Sequence, residues 1–252
     1  MTIMRAAVAL LAAFALSSCV LAPGKFTSKL VVNADRTFTY TYIGEVIAID
    51  MSDAMKGLGD ESSGDGDKDD DSTTTPSSTD DSQPTLRPIA LQDNKKDKDS
   101  AASKAATEAK NRAIAEALSK EAGFRKVTYQ GNGVFDVDYA ISGTLDHAFL
   151  WPFNVDAEAV FPFIAVELRA NGTVRMKAPG FGNDDNSKSM PDADQAASKM
   201  DGVFTLDTDA EIVSQDSEDG ATNVGGRHIV TWKATPTSKT APMAVLRFPP
   251  KK

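Results

Sequence analysis

The sequence predicts an α+β fold: a mostly antiparallel β-sheet of about eight or nine strands with one long helix packed on it, plus a disordered insertion. Three observations predict it. Runs of alternating apolar residues recur from Lys25 to the C-terminus, glycine-containing turns separate several of them, and a single alanine-rich stretch stands in their midst.

The first segment is not part of that fold. Met1–Arg5 is a short leader with one positive charge, and Ala6–Leu16 is an apolar run of 11 residues, too short to cross a bilayer as a stop-transfer helix. Leu16-Ser17-Ser18-Cys19 then places an aliphatic residue and two small ones before a cysteine. This resembles the lipobox of bacterial lipoproteins. The resemblance implies that residues 1–18 are a removed signal peptide and that the Cys19 thiol carries a diacylglyceryl group, with palmitate-like chains. One acyl chain holds a protein only marginally to a membrane, whereas two hold it stably. Val20 stands where lipoproteins retained at the inner membrane commonly carry Asp, which implies an outer-membrane anchor facing the periplasm. Residues 19–24 read as the lipidated N-terminus and a short tether, and five residues span at most about 18 Å.

Residues 25–252 read as one α+β domain. Phe26, Leu30 and Val32 share a parity, Asn33-Ala34-Asp35-Arg36 reads as a turn, and Phe38, Tyr40 and Tyr42 alternate with Thr37, Thr39 and Thr41. Gly44 marks a bulge or bend, and Val46–Ile49 continues the strand. Residues 52–100 contain 13 Asp/Glu against 6 Lys/Arg, and residues 64–76 hold no large apolar side chain. Such a stretch cannot bury enough surface to offset its ordering entropy, so it reads as a disordered insertion. The strands before it are too few to stand alone, so they pair with later ones.

Ala101–Ala122 reads as the helix, with Gly123 as its C-terminal stop. Ala102, Ala106, Ala109, Ala113 and Ala117, joined by Ile114 and Leu118, form the stripe expected to lie flat on the sheet. Arg125–Ile141 reads as a hairpin around Gly131-Asn132-Gly133, and Asn171-Gly172 turns a second one. Gly180–Lys199 reads as a polar loop. Val203–Val213, Arg227–Thr235 and Met243–Phe248 read as the last strands.

Composition narrows the function. The formal charge is −9 over 252 residues, and no basic stripe is present to meet a phosphate backbone, so nucleic acid is not an expected partner. Cys19 is the single cysteine, so no internal disulfide forms and stability comes from packing. Asp65, Asp67, Asp69, Asp70 and Asp71 suggest calcium. An EF-hand loop from Asp65 would need Gly sixth and Glu twelfth, where Asp70 and Pro76 stand, so no metal site or cofactor is expected.

His147 beside Asp146, with Ser142 nearby, is the nearest approach to an acid/base pair. Strand neighbours point to opposite faces, however, and His228 belongs to a separate strand. No nucleophile elbow, zinc-protease or phosphate-loop motif occurs, so no catalytic residue is expected. Phe149-Leu150-Trp151-Pro152-Phe153 and Phe161-Pro162-Phe163 concentrate aromatic rings, either as core or as the lining of an apolar ligand cavity or membrane-dipping surface. Asn171-Gly172-Thr173 matches a glycosylation acceptor and reads better as the hairpin turn.

The exported region resembles the actinobacterial LppM-type lipoproteins. The shared features are a lipobox cysteine running almost directly into a β-hairpin, a helix midway, and the late strand Gly226-Arg227-His228-Ile229-Val230-Thr231-Trp232. The resemblance implies a β-rich envelope domain with affinity for lipids or glycolipids, and it transfers no catalytic residue. The expected function is that of a non-enzymatic, lipid-anchored envelope protein that binds an apolar ligand or a protein partner at the membrane surface. An envelope-polymer hydrolase and a structural subunit of an envelope complex are the alternatives.

Overall fold

The computed structural model describes residues 19–50, 93–152, 162–182 and 198–249. Residues 1–18, most of the acidic insertion, and Phe153 and Phe161 lie outside them.

The chain opens with two 14-residue strands, β1 (Cys19–Val32) and β2 (Thr37–Asp50). Their turn is tied locally: Asp35 Oδ1 accepts from the Thr37 backbone N–H at 2.9 Å and from its hydroxyl at 2.7 Å, which holds the Asp35 carboxyl below its usual range. The helix α1 (Asp93–Leu118) follows. Then come β3 (Phe124–Gly131), β4 (Val134–Thr144), β5 (Phe149–Trp151), β6 (Ile164–Leu168) and β7 (Thr173–Lys177). After a 3-10 turn at Pro179–Phe181, the chain ends with β8 (Asp201–Thr208), β9 (Glu211–Gln215), β10 (Ala221–Val224), β11 (Arg227–Ala234) and β12 (Met243–Arg247).

These strands form two sheets, not one of eight or nine. A seven-stranded sheet runs β10-β11-β8-β1-β2-β4-β3, and a five-stranded sheet runs β5-β6-β7-β12-β9. Every pairing is antiparallel except β1 with β8. The two sheets share one core cluster, which takes Leu30, Tyr40, Phe135 and Val230 from the larger sheet and Val166, Met176 and Leu246 from the smaller. Alternation along each strand puts one face in that core and the other in water.

Three strands are extra, and one of them is the short β5 at Phe149–Trp151, which pairs with β6. Val203–Val213, expected as one strand, breaks at Asp209-Ala210, where the Thr208 hydroxyl accepts the Ala210 N–H at 3.0 Å, and the chain crosses from the larger sheet to the smaller. The strand at 227 has a hairpin partner in Ala221–Val224, whose side chains are all exposed and so show no apolar period. Gly225-Gly226 makes that turn with both φ angles positive, at 57° and 80°.

The helix differs most from expectation. It begins at Asp93, so residues 93–100 of the expected insertion are helical, and it ends at Leu118, four residues early. Gly123 is not its cap. With φ at 90°, it makes the entry to β3, where a Cβ would sit 2.5 Å from the Tyr139 ring. The helix lies along β3, the edge strand, because the inner face of the large sheet is already covered by the second sheet. It therefore buries a narrow strip: Ala115 and Asn111 are buried, and Ile114 and Leu118 are half-buried. Ala102, Ala106, Ala109, Ala113 and Ala117, the expected contact stripe, are all exposed.

The short tether is also absent as such. Residues 19–24 belong to β1, with Cys19 opposite Asp50 and Ala22 opposite Ile47. The β1–β2 register shifts between Pro23 and Phe26, opposite the bend at Gly44. A Cβ at Gly44 would meet the Lys25 carbonyl oxygen at 2.2 Å, so only glycine allows that close approach. The loop expected over Gly180–Lys199 begins instead as the 3-10 turn, which buries Phe181 completely, and residues 183–197 lie outside the described ones.

Candidate functional site

Cys19, the residue expected to be lipidated, is the first residue of β1 and stands at one end of the seven-stranded sheet. Its neighbours there are set by register. β1 pairs with β8 only from Lys25 onward, so among the described residues Cys19–Pro23 pair with β2 alone. On the far side of β2, Ile47 faces Val134, and the Ala48 N–H donates to the Gly133 carbonyl at 2.8 Å. The β3–β4 turn at 131–133 thus lies at the same end as Cys19.

The helix joins this end. Asn111 Nδ2 donates to the Tyr129 hydroxyl at 3.2 Å, and the same hydroxyl accepts from the Gly133 N–H at 3.0 Å. Glu108 Oε1 accepts from the Asn132 N–H at 3.0 Å, and this bond, with the Tyr129 hydroxyl beside it, lowers the Glu108 carboxyl from its ordinary range. These bonds set the helix antiparallel to β3, with Glu108 level with the turn.

The aromatic residues split differently from a ligand lining. Trp151 is 3% exposed and Phe163 1%. Trp151 touches Tyr42 with ring centroids 4.6 Å apart, Tyr139 at 5.1 Å, Phe163 at 5.4 Å and Tyr40 at 5.5 Å. Phe149 packs on Phe38 and Tyr40. This is a seam between the sheets, so these rings are core. Burial raises the Tyr40 and Tyr42 hydroxyls well above their ordinary pKa. Among the described residues, Trp151 Nε1 is buried in the seam without a hydrogen-bond partner. Leu150, between the inward rings, is 40% exposed.

Asp146 and His147 do meet, contrary to the strand-parity expectation, because they lie in a bend past β4 and not in a strand. His147 Nδ1 is hydrogen-bonded to Asp146 Oδ1. Both side chains are largely in solvent, 84% and 72% exposed, so none of the described residues encloses them. His228 is the second residue of β11, opposite Thr208. Four strand steps separate β11 from β4, roughly 19 Å at the usual spacing, so the two histidines form no pair. Among the described residues no group of three or more His, Cys, Asp or Glu is placed to hold a metal ion. Asp65–Asp71 lie outside those residues.

Asn171 acts as a turn residue: its Oδ1 accepts from the Thr173 N–H at 3.1 Å and from the Thr173 hydroxyl at 2.6 Å.

One polar cluster was not foreseen. Asp207 points to the outer face of the large sheet yet is only 9% exposed. Its Oδ2 takes Lys29 Nζ at 2.7 Å and its Oδ1 takes Arg227 Nε, while Arg227 Nη1 donates to Asn33 Oδ1 at 3.0 Å. Partial burial raises the Asp207 pKa, but the two cations outweigh it and the carboxyl sits below its usual range. The alternation of β8, with Phe204 and Leu206 inward, marks Asp207 as outward. Nothing local in the sequence marks it as covered.

No protein-family model matches the chain, and no curated protein matches it. Among solved structures, the chain is similar to the folded domain of LppM from Mycobacterium tuberculosis, determined by NMR. The identity is 14%, the match covers 92% of this chain and 93% of that one, and the TM-score is 0.34. At that level of likeness, fold and function rest on the chain's own residues.

Proposed function

We propose that this protein is a lipid-anchored, non-catalytic component of a bacterial envelope, acylated on Cys19, that binds an apolar ligand or a protein partner at the membrane surface. One observation carries the reading: the lipobox cysteine is itself the first residue of a strand woven into the main sheet, so acylation there fixes the domain directly to a bilayer. Val20 at the next position supports the outer membrane of a cell that has two. The shared core of both sheets, with residues 19–24 inside β1, supports treating the chain from Cys19 onward as one domain and not the tether plus 25–252.

The solvent-exposed Asp146–His147 pair and its distance from His228 argue against the hydrolase alternative. A protein partner draws its support from β10, an open edge strand with Val224 60% exposed.

Fractionation of cells expressing the full chain and its Cys19→Ala variant tests the anchor. Wild type is expected in the membrane pellet, resistant to alkaline carbonate, and the variant in the soluble fraction. Equal partition of the two would overturn the reading.

A further inference from the structure

We infer that the N-terminal half of α1 rests on the headgroup layer of the bilayer that holds Cys19, so that this exposed helix is the membrane-facing surface of the domain. The inference rests on the acylation of Cys19 and goes beyond it by naming what else touches the lipid.

Reach places the helix on the bilayer. Glu108 is level with the β3–β4 turn through its bond to the Asn132 N–H, and Asn111 is one turn further in, beside Tyr129. Helix residues before Glu108 therefore continue past the end of the sheet. Residues 93–107 are helical and make an overhang of about 22 Å at 1.5 Å per residue. Cys19 leaves the same end of the sheet. It lies three strand residues beyond Ala22, which is level with Ile47 and hence with Val134, a projection of only about 10 Å. The helix overhang thus reaches farther than the acylated residue. Cys19 has no slack to compensate, because residues 19–23 are paired with 46–50. A bilayer that takes the acyl chains must meet the helix, and the domain tilts to lay the overhang along the surface.

The chemistry of the overhang fits a headgroup layer and not the hydrocarbon. Ala101 to Ala106 are exposed on every side, and no apolar stripe is present to insert. Residues 93–107 carry four lysines and three aspartates, so charge is nearly balanced. The contact is held by the anchor's short leash and does not depend on anionic lipid or on low salt.

The test uses the full chain, expressed with its signal and reconstituted in phosphatidylcholine vesicles doped with a headgroup-nitroxide lipid. With Cys19 acylated, a cysteine introduced at Ala102 or at Ser119 is the single thiol available for a fluorophore. Both positions are exposed, and they stand about 26 Å apart along the helix direction. The expected result is several-fold stronger quenching at the Ala102→Cys site than at the Ser119→Cys site, unchanged in 0.5 M salt. Circular dichroism matched to wild type confirms the fold of each variant. Equal or reversed quenching, or quenching at the first site that salt abolishes, would overturn the inference. An unacylated Cys19, seen with an alkyne-palmitate label, would count against the anchored reading itself.

Discussion

Asp207 shows how a single carboxylate can be held on the water-facing side of a sheet. Lys29 and Arg227 reach it from the strands on either side, and the Arg227 guanidinium also bonds Asn33 in the β1–β2 turn. The folded-state pKa is lowered, so the stabilisation is fully present above the unfolded value of about 3.9 and is lost as pH falls through the folded value. Urea midpoints measured at pH 7 and pH 3 should show a smaller acid-induced loss in Asp207→Asn than in wild type. Arg227→Ala should cost about 1–3 kcal/mol at pH 7, because it leaves a covered carboxylate with one partner fewer. Glycine at 225 and 226 is a second residue-scale commitment. Both adopt positive φ, so Gly226→Ala should lower stability by about 1 kcal/mol in a thermal melt, although a Cβ there meets nothing within 4 Å.

At the scale of elements, α1 decides how much could be read from sequence. Its alanine content and lack of strand formers identify it as a helix, but composition alone does not say which stripe is covered. The covered strip is set by Tyr129 and the 131–133 turn, which hold Asn111 and Glu108 at one edge of the sheet. Two substitutions separate the stripes in thermal denaturation. Ala115→Glu should destabilise by about 2–3 kcal/mol, since it buries a charge against the core, whereas Ala106→Glu should stay within about 0.5 kcal/mol. The hairpins at 131–133 and 171–172 were legible because glycine beside asparagine sits between alternating runs. The β10–β11 hairpin carried an equally good turn signal in Gly225-Gly226. Its first strand is not legible because Ala221–Val224 is exposed throughout and offers no inward face.

At the scale of the whole molecule, the class was legible and the layering was not. Alternating Phe38, Tyr40 and Tyr42 announce a half-buried strand, but not whether a helix or a second sheet covers them. The five-stranded sheet does so, through Trp151 and Phe163, and this displaces the helix to the edge. With Cys19 acylated as proposed, the consequence for function would be an oriented domain. Cys19, the β3–β4 turn and the overhang of α1 share one end of the large sheet, while the Asp207–Arg227 cluster and the exposed His147 lie at the other. A ligand or partner recognised at the membrane would approach the first end, and the second would face away from the bilayer.

All of this depends on what Cys19 carries. The most direct measurement is the mass of the N-terminal peptide of the full chain recovered from its cell membrane. The expected peptide begins at Cys19 and bears a diacylglyceryl thioether, with or without an acyl group on its amine. A peptide that retains residues 1–18, or one that begins elsewhere with an unmodified thiol at Cys19, would contradict it.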